Sequence, residues 1–317
     1  MSKCFIGCAT ICLLLFAGCG NRGAGALDKS LDSLARLKFG PAYDIEMQGD
    51  VACLSHNQGV EIVKVTDPRR PVRLSRIPLA DGAFDLEWQG GLLYIAADEE
   101  GFCLADIKDP SHPRVLSRFR NHEGSVVKLA VKGESVFVGS FDGRVTLLDV
   151  REPSRPREVA SLSVGKGVAG MALVGDCLYV GTYDGLKVIA TGDASGLKII
   201  GSLQDIFAQD LDLQETFLYV SGHKNGLRVL DVSDPRRPLP VGSFNDGGEA
   251  NSSFVSGQTL YVSDADSSIM EVMDIRDPRK PEKVREYMGC RPHAVIVRDK
   301  ILYIATTAKG LHVLKMR

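Results

Sequence analysis

Leu218-Tyr219-Val220-Ser221-Gly222-His223-Lys224-Asn225-Gly226-Leu227-Arg228-Val229-Leu230-Asp231-Val232-Ser233-Asp234-Pro235-Arg236-Arg237-Pro238 reads as two short strands, a tight reversal between them and a closing turn. Gly226 stands where the chain reverses and a positive φ is wanted. Two prolines three residues apart cannot lie inside a sheet ladder, so Pro235 and Pro238 mark a connection. The same turn recurs as Asp67-Pro68-Arg69-Arg70-Pro71, Asp109-Pro110-Ser111-His112-Pro113, Glu152-Pro153-Ser154-Arg155-Pro156 and Asp277-Pro278-Arg279-Lys280-Pro281. The first prolines stand 42, 43, 82 and 43 residues apart, and the gap of 82 holds one degenerate copy, Thr191 to Ser195. Two more columns keep the period: Tyr94, Phe137, Tyr179, Tyr219, Tyr261 and Tyr303, then Gly59, Gly101, Gly143, Gly185, Gly226 and Gly310.

Each unit resolves into four strands. In the second, strand a is 84–88, strand b 92–96, strand c 102–107 and strand d 115–119, bounded by Gly, Asp and Pro. Strands b and c are apolar on both faces, so each sheet is expected to lie between neighbours. Four-stranded sheets repeated radially at this period make a β-propeller. Strand a recurs near Asp44, Asp85, Lys128, Gly170, Asp210, Ser252 and Ala294, which counts seven blades. The last unit stops at strand c, and Leu34-Ala35-Arg36-Leu37 matches Leu116-Ser117-Arg118-Phe119. The fold expected is therefore all-β, a seven-bladed propeller closed by an N-terminal strand that completes the last blade.

Segments such as Gly226 to Pro235, preceded by Leu218-Tyr219-Val220, resemble LVIVD repeats over about residues 33 to 317. Unit four departs by losing both prolines, and unit one lacks the strand-b tyrosine. The resemblance implies a propeller and an extracytoplasmic location, and no settled chemistry.

The chain has 317 residues, 44% hydrophobic and 25% charged, with a formal net charge of -2. That balance excludes a disordered chain, a coiled coil and a multi-span membrane protein, and it argues against nucleic acid as a partner. Met1-Ser2-Lys3 followed by an apolar run to Ala17 reads as an export signal, too short for a comfortable permanent span. Leu15-Phe16-Ala17-Gly18-Cys19 resembles a bacterial lipoprotein signal, with Phe16 where Leu is more usual. The resemblance implies residues 1–18 as signal peptide, Cys19 as the lipidated mature N-terminus and a membrane tether through that lipid. Residues 19–32 then form the lipidated Cys and linker, and 33–317 the propeller. Gly20, rather than Asp, favours the outer membrane in the Gram-negative sorting pattern. Cys53, Cys103, Cys177 and Cys290 remain in the domain without metal-site spacing, and are expected to be isolated buried thiols.

No catalytic, phosphate-binding or metal-binding motif occurs, so no cofactor and no metal are expected. His56 and His223 in b–c hairpins, His112 in a c–d turn and His122 in a d–a loop are read as exposed loop residues. His293 opens strand a of blade seven and His312 lies in its strand c. The d–a and b–c loops share one face, which carries the longer segments suited to binding. There the starts of strand a border the axial channel, with Tyr43, Asp44, Asp85, Lys128, Asp210, Asn251 and His293 as candidate binding residues. Their carboxylates would take a small cation or a metal ion, or would accept backbone hydrogen bonds and tie blades together. Repetition of Asp at one column favours the tie. The opposite face carries Arg69, Arg70, Arg155, Arg157, Arg236, Arg237, Arg279 and Lys280, a basic rim suited to anionic headgroups or an acidic partner, or simply solvated turn decoration. The function expected is a lipid-anchored, non-catalytic binding or scaffold module of the cell envelope with a protein partner. The alternative is an enzyme at the channel mouth using Asp44, Asp85 or Asp210 with His293. A single Trp and few aromatics weigh against sugar stacking.

Overall fold

A computed structural model describes residues 30–120, 124–192, 196–264, 268–289, 292–307 and 309–317. The described chain forms 28 strands in seven four-stranded antiparallel sheets. After β1 (Leu31–Lys38), blade one is β2 (Ala42–Gln48), β3 (Val51–His56), β4 (Gly59–Lys64) and β5 (Val72–Pro78). Blade two is β6 (Asp85–Gln89), β7 (Leu92–Ala96), β8 (Phe102–Asp106) and β9 (Arg114–Phe119). Blade three is β10 (Val126–Lys132), β11 (Ser135–Ser140), β12 (Arg144–Asp149) and β13 (Arg157–Ser163). Blade four is β14 (Val168–Val174), β15 (Cys177–Thr182), β16 (Gly185–Ala190) and β17 (Lys198–Gln204). Blade five is β18 (Asp210–Gln214), β19 (Phe217–Ser221), β20 (Leu227–Asp231) and β21 (Leu239–Phe244). Blade six is β22 (Ser252–Ser256), β23 (Thr259–Asp264), β24 (Ile269–Asp274) and β25 (Glu282–Met288). Blade seven takes β26 (Pro292–Arg298), β27 (Ile301–Thr306) and β28 (Gly310–Met316), and its fourth strand is β1.

Closure follows the expected route. β1 pairs antiparallel with β28 from Leu31 opposite Met316 to Lys38 opposite Gly310. It begins two residues before the boundary expected from the sequence, because Leu31 is buried, at 4% exposure, in the layer between blades six and seven. The apolar b and c strands fill seven buried layers among the described residues, one between each pair of neighbouring blades. The layer joining blade seven to blade one has the same make-up as the rest, with Ile45, Leu54 and Val63 against Tyr303, Leu311 and Val313. This is why both faces of those strands are apolar: each sheet has two neighbours to bury against. Cys53 and Cys103 are free thiols in one such layer, Cys177 is half-buried, and Cys290 lies outside the described residues.

The proline turns clamp one blade to the next. Ser75 Oγ of blade one donates to the Pro110 carbonyl of blade two at 2.5 Å, and Ser117 Oγ of blade two donates to the Pro153 carbonyl of blade three at 2.7 Å. In blades four and five a glycine replaces that serine, since a Cβ on Gly201 or Gly242 would lie 2.5 or 2.6 Å from the next turn's carbonyl oxygen. The glycine column has a related cause. Gly143 has φ +81, and a Cβ there would lie 1.9 Å from the Gly165 carbonyl oxygen. Gly185 differs from expectation in lacking a positive φ; close approach of the Leu203 carbonyl, 2.5 Å from a Cβ, requires glycine there. Gly143→Ala combines both penalties, so urea unfolding is expected to show a loss of more than about 2 kcal/mol. A midpoint equal to wild type would refute that account.

Candidate functional site

Strand a lines the channel, and its local irregularity decides what faces it. Register shifts between Ala42 and Asp44, Val126 and Lys128, Val168 and Gly170, and Pro292 and Ala294 leave Tyr43, Val127, Ala169 and His293 as extra residues. A bulge re-aims side chains at a strand end, so two consecutive columns reach the mouth instead of alternate ones. Tyr43, Asp44, Asp85, Lys128, Asp210, Asn251 and His293 all line one cavity of about 1220 Å³.

The aspartates tie blades together. Asp44 Oδ2 accepts from Leu86 N at 2.9 Å, Asp85 Oδ2 from Leu129 N at 2.8 Å and Asp210 Oδ2 from Ser253 N at 3.0 Å. Each bond runs from one blade to strand a of the next. Between them stands Lys128, whose Nζ lies 3.1 Å from Asp85 Oδ1 and 3.8 Å from Asp210 Oδ1. The ammonium thus occupies the place that the sequence reading gave to a ligand cation or metal ion. Among the described residues, no three His, Cys, Asp or Glu side chains converge as a metal set.

Burial governs the protonation of this floor. It pushes the Asp44 carboxyl up to about 7, helped by the Asp85 charge and opposed by Lys128. Burial also raises Asp85 against the pull of Lys128. For Lys128 itself burial works downward, but the charges of Asp85, Asp210 and Asp44 hold it above the ordinary lysine range. Three further acids complete the floor. Burial raises Glu46 to about 9, Glu87 to about 8 and Asp212 to about 6. They sit two residues beyond Asp44, Asp85 and Asp210, on the same side of each strand, and the period-2 alternation was the signal that would have found them. His293 is held down at about 4 by burial and then by the Lys128 charge.

The rim of the cavity is aromatic. Tyr43 packs 5.5 Å from Phe84 and 5.7 Å from His293, ring centre to ring centre. A second arc runs from Phe141 to Tyr183 at 5.8 Å, to Phe207 at 5.3 Å in a near-parallel stack, and to His223 at 6.0 Å. These side chains are half-buried and line the same cavity. Tyr43, Phe84, Phe141, Tyr183 and Phe207 thus gather at the mouth, which the composition alone did not reveal. The exposed-histidine expectation needs correction. His56 is fully buried near Glu61 and against Phe39, and His312 is buried beside Ser33 and Arg36. His112 is exposed, His223 is part-buried, and His122 lies outside the described residues.

The basic rim is exposed on the other face. Asp67, Asp234 and Asp277 fold back to accept from Arg69 N, Arg236 N and Arg279 N at 2.9, 3.0 and 3.1 Å, which leaves the side-chain cations outermost. Arg70, Arg155, Arg157 and Arg237 share that exposure, Arg279 lies over the Phe217 ring, and Lys280 pairs with Glu282 at 2.7 Å. The structure thus places the two candidate sets on opposite faces. Cys19 lies outside the described residues.

The LVIVD repeat family matches residues 82–120, 123–164, 207–246 and 247–289, together more than half of the chain. No curated protein matches the sequence. Among solved structures, a chain of the mitotic checkpoint complex aligns at 13% identity and a TM-score of 0.75, covering 91% of this chain and 96% of that one. The β-propeller domain of Myceliophteria thermophila Cps50 (Swd1) aligns at 16% identity and a TM-score of 0.74, covering 90% and 100%. BamB from Moraxella catarrhalis aligns at 15% identity and a TM-score of 0.60, covering 86% and 81%. At these identities the likeness is one of fold.

Proposed function

The chain belongs to the LVIVD repeat family, and from that premise we propose that it is a lipid-anchored, non-catalytic binding module of the bacterial cell envelope, with the outer membrane as its favoured site. Its partner is a protein received at the mouth of the central cavity. The observation that carries the reading is the mouth itself: half-buried rings around a cavity of about 1220 Å³, on a frame whose blades are tied by Asp44, Asp85 and Asp210. Rigid aromatic side chains at a concave mouth supply contact area with little rotamer entropy to lose, which suits them as binding anchors. A chain of the mitotic checkpoint complex with this fold is an assembly member, which accords with the reading.

Cross-linking and pull-down from native membranes tests it. A specific partner should be recovered by wild type and lost with Tyr183→Ala/Phe207→Ala; equal recovery by both would reject the mouth as the binding face. Metabolic labelling with a palmitate analogue should mark wild type and fail for Cys19→Ala, and a labelled Cys19→Ala chain would reject the lipid anchor. A second reading, catalysis at the same mouth by Asp44, Asp85 or Asp210 with His293, draws support from the group of shifted carboxyls in one deep cavity. The engagement of each aspartate by a backbone N–H counts against it.

A further inference from the structure

The chain enters the ring on a particular face. In blade one, Lys64 pairs with Val72 across the Asp67–Pro71 turn, where strand c hands over to strand d. The equivalent pair in blade seven is Met316 with Leu31, and Arg317 N donates to the Ser30 carbonyl at 3.1 Å. Residues before Ser30 therefore leave from the face that carries the proline turns, and the cavity mouth opens on the other. Eleven residue steps separate Cys19 from Ser30, a span of at most about 40 Å when fully extended and about 18 Å on average for a flexible chain.

The turn face carries outward guanidinium groups beside the exposed turn acids Asp67, Glu152, Asp234 and Asp277. On the turn face Arg151 and Arg276 are engaged by Asp149 and Asp274. Among the described residues, Arg69, Arg70, Arg155, Arg236 and Arg237 form no ion pair, and all five are exposed. The loop face presents Asp81, Glu99, Asp142 and Asp205 to solvent beside Lys38, Arg120, Lys166, Lys224 and Lys309, so its exposed charges nearly balance. An anionic surface attracts the unpaired guanidinium groups at the turn tips, and cations held within a Debye length of it add their attractions.

Resting on the tethered reading above, we infer that the propeller sits with its proline-turn face against an anionic lipid bilayer surface and its cavity mouth turned away from that bilayer. The short tether keeps the turn face near the membrane, and the guanidinium groups at its tips meet lipid phosphates, for which their fork geometry is suited. An orientation with the mouth toward the bilayer would require the tether to pass round the ring and the unpaired arginines to face away from the phosphates.

The full lipidated chain, reconstituted into phosphatidylcholine vesicles with or without phosphatidylglycerol, tests this. Fluorophores are placed at Ser154→Cys on the turn face and Gln204→Cys on the loop face, in a Cys177→Ser/Cys290→Ser background, with nitroxide-headgroup lipid as quencher. Quenching should be several-fold greater at position 154 and should increase with phosphatidylglycerol. Equal quenching at both positions, greater quenching at 204, or no response to phosphatidylglycerol at 154 would overturn the inference, the last pointing to an acidic protein instead. Flotation separates this from failure of the anchor: Cys19→Ala tests the anchor by itself. Within that variant, adding Arg69→Gln/Arg70→Gln/Arg236→Gln/Arg237→Gln should lower partitioning into anionic vesicles by up to about 1000-fold. Unchanged partitioning would overturn the basic contact even if Cys19 carries lipid.

Discussion

Removal of residues 31 to 38 abolishes cooperative folding of the whole ring. The strand lost is the outer member of blade seven, paired with β28 along its length. It buries Leu31 against the layer between blades six and seven, and packs Leu34, Ala35 and Leu37 against the layer between seven and one. Losing one buried leucine costs about 2–3 kcal/mol, and the partly buried side chains and a full ladder of backbone hydrogen bonds go with it. That total is a large part of the 5–15 kcal/mol that an ordinary domain has available. The deletion also exposes the edge of β28, whose Leu311, Val313 and Leu314 are buried in the intact ring, so aggregation should accompany unfolding. Thermal melting followed by circular dichroism, with size-exclusion chromatography, measures both. A melting curve like that of wild type would mean that the ring closes without this strand.

Lys128→Met has the next largest effect, and its size depends on pH. The ammonium compensates Asp85 and Asp210 directly and lowers Asp44 through space. Removing one partner from a buried ionic group costs about 3–5 kcal/mol when the remaining charges must stay. They need not stay at low pH. A carboxyl whose folded value is raised, as Asp44 is from 3.8 to about 7, contributes stability that is fully present below its unfolded value and lost as pH rises through the folded one. Without Lys128 the carboxyls rise further, so the variant is hurt most on the alkaline side. His293 works in the same direction: Lys128 helps to hold it down at about 4, and a lowered histidine loses its contribution as pH falls through that value. Removing the cation eases that acid loss. Urea unfolding at pH 8 should therefore show a deficit of several kcal/mol that shrinks markedly at pH 5. Equal deficits at the two values would show that Lys128 acts through packing of its stem and not through charge.

The blades were legible because their rules are short-range. Proline pairs, the glycine column and the alternation within each strand declare themselves over a few residues, and Leu34 to Leu37 could be matched to a missing strand by the same rules. The aspartate column was also visible, and its tie to the next blade, Asp85 to Leu129 for example, follows from the repeat. The aromatic rim was not. Phe141 and Tyr183 share one b–c position, two residues before Gly143 and Gly185, but Phe207 comes from a d–a loop and Tyr43 from a bulged strand, so no single column marks the rim. His56 looked like a hairpin residue, yet it is the last residue of β3 and is sealed in beside Glu61 and Phe39.

The amino-acid sequence by itself determined the number of blades, their strand order and the strand that closes the ring, because each unit must bury two apolar faces and can do so only against copies of itself. Only the tertiary structure decided which side chains share the central cavity, that Lys128 fills its ring of carboxylates, and that the N-terminal segment leaves on the arginine face. Those relations join residues of different blades across the axis, where no local pattern constrains them and where burial, more than sequence neighbours, sets each group's charge.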